Sequence, residues 1–541
     1  MRRLLICLCV LGLGTAPALG QEVSRKRLQD LRPVGGGIVS NTVQTLATAG
    51  DSLWIGPLLT VYVESKERLF APDDEVVTNR IVDGRNVVFS LAAESRSRTS
   101  STVWAGLAFD AGGGTIGAGG FLVSTNGGQS FTGISARAAL DEPSDTTIAY
   151  GTSTLPAVPV TQTAGSAPRD IAIEGRDTVW VAGTRSGLRR WTTQDSTWTR
   201  VVLPPDTSTR IEPSQSYNFL VAPPQDDGRG FQNHEVLSVL VDETGTVWAG
   251  TLAGVNRSTP ADVAPSGDRA WRLFRPDGTP GSLTGQIVWA LAEQPRPGRN
   301  PVWMATLRAQ GGQTVQRTGL TMTPNGGKTF RQPLIGTQVN DVAARRERVY
   351  AAAESGLFVS GNQGDTWRSI TDVALQDKDE VFPEGMTAES VAVTPSALWV
   401  GTTEGLLRLD RANEPRLLPG ASEARAPKWR LFRAQVPVNP ENPSEQVPDV
   451  NTYAYPNPFS PSRDDVVRIV YDVPEPQTVE VNIYDFGMTR VRTLREKEPK
   501  GRQEMVWDGT GEDGLRLPTG TYLYTVEVGG RTIRGKILLS N

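Results

Sequence analysis

The sequence predicts an all-β chain, a seven-bladed β-propeller followed by a small β-sandwich. Three observations carry that reading. An aromatic strand core recurs seven times, glycine-bounded apolar runs surround most copies, and several alternating runs near the C-terminus follow a Pro-rich segment. The 541 residues include 56 Gly and 38 Pro, with 38% hydrophobic and 21% charged residues. That balance is globular and excludes a collagenous, low-complexity or coiled-coil chain.

The first element is a leader, residues 1–20. Met1-Arg2-Arg3 forms a short basic start, Leu4 to Leu13 an apolar run, and Ala18 and Gly20 the small residues before a cleavage point at Gln21. The run is too short to span a bilayer, so it reads as a secretory signal peptide. Both cysteines, Cys7 and Cys9, lie inside it. The exported chain then carries neither disulfide nor thiolate chemistry. No later segment is apolar for the roughly 18 residues a membrane span needs. Losing Arg2 and Arg3 takes the formal net charge from −4 to −6. Without a basic stripe or polybasic patch, neither nucleic acid nor an anionic membrane surface is an expected partner.

The second element, residues 21–434, holds the repeats. Their aromatics are Trp54, Trp104, Trp180, Trp248, Trp303, Tyr350 and Trp399, spaced by 50, 76, 68, 55, 47 and 49 residues. A floor near 47 with variable excess describes one supersecondary unit carrying loop insertions. Each aromatic follows a β-type run, beginning at Val43, Val87, Ile171, Val236, Ile287, Val342 and Val391. The glycine-rich stretches Ala111–Gly119 and Gln310–Gln313 read as lengthened turns. A four-stranded blade cannot bury both its faces alone, whereas radial stacking buries them against neighbours and leaves only short edges. Large aromatics on the second strand would fill the wedge between blades. A solenoid would show a tighter period.

Asn41-Thr42-Val43, Leu53-Trp54-Ile55-Gly56 and the run from Leu398 to Asp410 resemble two-component-regulator propeller repeats, a family of sensor-type propellers also found in secreted proteins. A second pattern, Ser124 to Phe131, repeats as Thr323 to Phe330 and Ser360 to Trp367. It resembles the Asp-box with Asn in place of Asp. The resemblance implies a hairpin between the third and fourth strands of a blade. Asn126, Asn325 and Asn362 would accept turn N–H bonds, Gly128, Gly327 and Gly364 would take positive φ, and Phe131, Phe330 and Trp367 would plug between blades. Asp-boxes occur in glycosidases, but away from the catalytic face, which implies a structural role here.

The third element, residues 435–450, is Pro-rich and polar, a semi-rigid linker. The fourth, residues 451–541, shows alternating runs at 466–471, 479–484, 504–507, 522–528 and 532–539, the pattern of a small sandwich. Trp507-Asp508-Gly509-Thr510-Gly511 and Leu517-Pro518-Thr519-Gly520-Thr521-Tyr522 resemble the Ig-like domain of flagellar hook-capping proteins. Tyr455-Pro456-Asn457-Pro458 and Gly535-Lys536-Ile537-Leu538 are similar to type IX secretion sorting tails, which implies recognition by secretion machinery. An accessory sandwich without a targeting role is the alternative.

No catalytic signature stands out. The chain holds a single histidine, His234, at what reads as a strand entry. With one histidine and no cysteine left, zinc clusters lack ligands; a Ser–His–acid triad would require His234 itself, and neither metal nor cofactor is expected. Glycoside hydrolysis needs only two carboxylates and so survives this filter. One constellation follows from the repeat register: Thr42, Asn86, Asp170, Glu235, Gln286, Asp341 and Ser390 precede the innermost strands and would ring the channel mouth. Asp170, Glu235 and Asp341 are its candidate ligand-binding carboxylates; the bland alternative has each residue capping its own turn. The favoured function is a secreted or cell-surface, non-catalytic scaffold that recognises a polysaccharide, a peptide or a surface protein. A carbohydrate-active hydrolase and an accessory component of a type IX secretion system are the alternatives.

Overall fold

The computed structural model describes Ile38 and residues 42–539, apart from 58, 71, 73–74, 78–79, 81–85, 97–100, 194–196, 297–299, 310–314, 377–381, 383–384, 423–425, 434–451, 456, 458, 460 and 462–465. The leader with Cys7 and Cys9, the Gln310–Gln313 stretch and the Pro-rich 435–450 segment lie outside the described residues. The chain divides near residue 434 into two compact units.

Among the described residues, the first unit contains seven sheets built on four antiparallel strands consecutive in sequence, two of them gaining a short fifth strand (Arg210–Ile211 and Ala374–Leu375), besides one separate two-stranded hairpin. Their innermost strands are Leu46–Ala49, Val87–Ser95, Pro168–Glu174, Val236–Val241, Ile287–Glu293, Val339–Arg345 and Ala388–Val393, defining blades 1 to 7. Each innermost strand lies beside the next, and that of blade 7 lies beside that of blade 1. The circle is tied by Val43 N–H donating to Thr402 O (3.0 Å) and Ile38 N–H donating to Arg433 O (3.1 Å). This is a β-propeller.

Burial explains why the circle forms. All seven repeat aromatics lie on the second strand of a blade and are at most 2% exposed. Four of them meet, edge-on, an aromatic at the outer strand of the following blade: Trp54–Phe131, Trp104–Trp198, Trp180–Trp271 and Trp303–Trp367, with ring centroids 6.1–6.4 Å apart. Edge-to-face contact matches the quadrupoles of the two rings and fixes the angle between blades. The indole N–H groups stay inside, donating to Glu174, Asp242, Gln294 and Thr394 from Trp180, Trp248, Trp303 and Trp399.

The long second and third spacings have separate causes. Ser101–Gly112 and Thr115–Ser124 pair almost to their tips, so Ala111–Gly119 extends two strands rather than lengthening a turn. The hairpin Thr147–Tyr150/Ser153–Pro156 and the 201–222 segment then pack together over blades 3 and 4, where Tyr150, Leu155, Val202 and Ile211 join one core with Trp180 and Trp271.

The second unit is a sandwich of two antiparallel sheets. One holds Thr452–Tyr455, Val467–Val473 and Gly501–Trp507; the other holds Arg490–Glu498, Gln477–Tyr484, Gly520–Val528 and Arg531–Leu539. Phe459, Val481, Ile483, Trp507 and Tyr524 centre the core between them. The Trp507-Asp508-Gly509-Thr510 motif works as a turn. Trp507 Nε1 donates to Thr510 O (2.9 Å), Asp508 Oδ1 accepts from Thr510 N (3.0 Å), and Gly509 takes φ 78°. Strand Arg490–Glu498, which the alternation did not predict, is a sheet edge rich in Arg, Lys and Glu. Charge there discourages edge-to-edge pairing and at the same time hides the apolar period.

Candidate functional site

The centre of the propeller is where the blades converge, and a register fault recurs there. In blades 2 to 7 the pairing of the innermost strand skips one residue: Phe89, Arg169, Leu237, Trp289, Asn340 and Glu389. A bulge leaves its extra residue unpaired and re-aims its side chain. The Arg169 guanidinium lies 5.6 Å from the Phe89 ring and 5.2 Å from the Trp289 ring. These side chains come from blades 3, 2 and 5, and blades 3 and 5 are not neighbours in the circle. The contact therefore crosses the channel, and the skipped residues of these three blades face its axis. Asn340 occupies the same position in blade 6 and donates to Ala388 O of blade 7 (2.8 Å).

In five of these six blades the residue after the skip does a different job, the exception being Ala290 of blade 5. Ser90, Ser238 and Ser390 donate to the main-chain oxygens of Pro168, Val288 and Val43 in the following blade, at 2.8, 3.2 and 2.8 Å. Asp170 and Asp341 occupy the same place but accept. Asp170 takes Ile171 N–H and Val239 N–H, and Asp341 takes Val342 N–H and Val391 N–H, all at 2.8–2.9 Å. These five side chains staple one innermost strand to the next.

The seven residues grouped as a channel-mouth ring are thus split by the structure. Asp170, Asp341 and Ser390 are strand residues in the staple position, whereas Asn86, Glu235 and Gln286 precede their strands. Blades 3, 6 and 7 begin their innermost strands at Pro168, Val339 and Ala388, three residues before the apolar runs that announced them. The bulge breaks the two-residue period there, so the alternation starts only after it. Burial pushes Asp170 up to about 7 and Asp341 up to about 6, against the pull of the two amide bonds each accepts. Burial likewise raises Glu235, opposed by Arg169 and Arg185.

A sequence signal for the staples exists in the residue two after the repeat aromatic. It is Gly106, Gly250 or Gly401 opposite a stapling serine, and Ala182 or Ala352 opposite an aspartate. A Cβ on Gly401 would lie 2.2 Å from Ser390 Oγ and 2.3 Å from Val43 O, so Gly is required for space. Gly401→Ala should destabilise the propeller by about 2 kcal/mol in chemical denaturation, because it forces the closing contact between blades 7 and 1 apart.

His234 ends a 3-10 turn, Gln232–His234, rather than opening a strand, and is buried. Nε2 lies 2.9 Å from Leu203 O and Nδ1 accepts Ala222 N–H at 3.1 Å, which uses both nitrogens of the neutral ring. Burial holds it down at about 4. It anchors the 201–222 segment.

The three Asn turns share one geometry. Asn126, Asn325 and Asn362 accept the N–H of Ser130, Thr329 and Thr366 at 2.9–3.1 Å, and Gly128, Gly327 and Gly364 donate to Ser124, Thr323 and Ser360 hydroxyls at 2.7–2.9 Å. The three glycines have φ of 83–86°. Phe131 and Trp367 pack on Trp54 and Trp303, and Phe330 packs on Phe274. Among the described residues no group of three His, Cys, Asp or Glu could hold a metal, and no helix is long and apolar enough to cross a membrane.

Residues 462–531 match the FlgD Ig-like domain. The motif glycines and Trp507 of this Ig-like unit are the turn described above. No curated protein matches the chain. Among solved structures, the chain is similar to PorZ, an essential bacterial surface component of the type-IX secretion system of Porphyromonas gingivalis, at 14% identity over 92% of this chain and 70% of that one, TM-score 0.35. It is also similar to YCF48 from Cyanidioschyzon merolae, at 15% identity over 70% of this chain and 98% of that one, TM-score 0.39. FlgD from P. aeruginosa shares 26% identity over 14% of this chain and 61% of its own, TM-score 0.12.

Proposed function

We propose that the chain is an exported, surface-acting recognition protein without catalytic activity, whose propeller binds its target at the channel and whose Ig-like unit serves export or attachment. The observation that carries the binding role is the set of side chains turned to the channel axis, Phe89, Arg169 and Trp289, in a frame held rigid by staples between blades. Aromatic faces and a guanidinium suit the ring faces of a sugar or the side chains of a peptide. The non-catalytic reading draws support from Asp170 and Asp341. Both oxygens of each accept main-chain amides, which engages these two candidate carboxyls in holding blades together.

The test is a screen of the purified chain against immobilised bacterial polysaccharides and a peptide library. Phe89→Ala/Trp289→Ala should lose at least tenfold in affinity for whatever the wild type retains. Undiminished binding refutes the channel, and release of new reducing ends from any bound polysaccharide refutes the non-catalytic reading. Fractionating the native host with antibodies to each unit tests the export role, which a cytosolic location would overturn.

A further inference from the structure

Between blades 2 and 3 the chain buries two guanidiniums against one carboxylate. Arg189 and Arg200 have side chains 4% and 7% exposed, and both reach Asp141, at 2.8 and 3.4 Å. Arg200 is otherwise satisfied, donating to Val158 O and Val221 O. Asp141 also accepts Val160 N–H (2.9 Å). Burial alone would raise its pKa, but the bond and charge of Arg189 hold the carboxyl below its usual range. The cluster therefore keeps one uncompensated positive charge away from water, which is costly unless something neutralises it.

Arg189 shows where the compensation belongs. Its Nε donates to Ser186 O and its Nη1 to Asp141, while Nη2 is buried with no hydrogen-bond partner. The indole Nε1 of Trp198 is buried in the same condition. Both residues line one small cavity of about 20 Å³, together with Phe121, Leu140, Pro168 and Ser186. Roughly 10–15 Å³ is enough to hold a single water-sized species. Two orphaned donors, a surplus positive charge and apolar walls describe a receptor for a monovalent anion more closely than one for water, which would leave the charge unbalanced.

We propose that this cavity is a structural chloride site, with Arg189 Nη2 and Trp198 Nε1 donating to the ion. It is independent of the channel and locks the segment carrying Asp141 onto blade 3.

Two experiments test it on the full chain. Thermal unfolding is followed while sodium chloride replaces sodium gluconate at constant ionic strength. The propeller transition should rise with chloride and saturate, as mass action requires for a ligand of the folded state. Arg189→Met should abolish that response, and Trp198→Phe should raise the half-saturating concentration about tenfold, the loss of one hydrogen bond worth ~1.4 kcal/mol. Bromide-soaked wild-type crystals, which need no variant to fold, should show an anomalous peak within hydrogen-bonding reach of both nitrogens. A transition indifferent to chloride, a response that survives in Arg189→Met, or a bromide map with water alone in the cavity overturns the proposal.

Discussion

Trp303→Ala should destabilise the propeller by about 3–5 kcal/mol, the usual cost of emptying a fully buried indole site. Three things are lost together. The side chain is 0% exposed, its Nε1 donates to Gln294 Oε1 at 3.0 Å, and its ring meets Trp367 of the next blade at 6.1 Å and 86°. Gln294, also 0% exposed, is left with an unanswered acceptor, which adds to the cavity term. Trp303→Phe keeps most of the edge-on contact and should cost less than half as much. A double-mutant cycle with Trp367→Leu should return a coupling of about 0.5–1.5 kcal/mol. A loss under 1 kcal/mol for Trp303→Ala in urea denaturation would mean that the aromatic wedges do not hold the blades together.

The second large effect is a pair of opposing pH dependences in one window. His234 is held neutral at about 4 in the folded chain against 6.5 when free. As pH falls below 6.5 the unfolded chain takes a proton that the folded chain refuses. Its contribution is complete above 6.5 and is lost by pH 4, about 3 kcal/mol in all. Asp170 and Asp341 run the other way. Their folded values, about 7 and about 6, lie above the free value of 3.8, so the stability they contribute is complete below 3.8 and is lost as pH rises through 6 to 7. Denaturation of wild type and His234→Gln from pH 4 to 7 should show the advantage of the wild type growing with pH. Against Asp170→Asn/Asp341→Asn the difference should shrink. Parallel curves for wild type and His234→Gln would show that the ring is not buried neutral.

Much of this was legible in the sequence. The seven aromatics mark the second strand of every blade because an indole or phenol wedge needs the same place each time, and position in sequence records that need directly. Asn126, Asn325 and Asn362 were equally readable, since each turn closes on its own residues and its chemistry is local. Trp507 and Gly509 belong to the same class.

The channel was not legible, and Asp170 with Glu235 shows why. The two stand at equal distances before apolar runs, yet one staples blade 3 to blade 4 and the other precedes its strand. A bulge shifts the side-chain alternation by one residue without changing the composition around it. Arg169, Phe89 and Trp289 are far apart in sequence and meet only because the circle closes. The Arg189–Asp141–Arg200 cluster likewise joins a segment after blade 2 to two strands of blade 3. The sequence alone thus determined the repeating module and its wedges, both of which are short-range periodic requirements. Only the tertiary structure decided which side chains face the axis and which are consumed between blades, because that choice depends on register at the bulge and on neighbours that a single repeat does not contain.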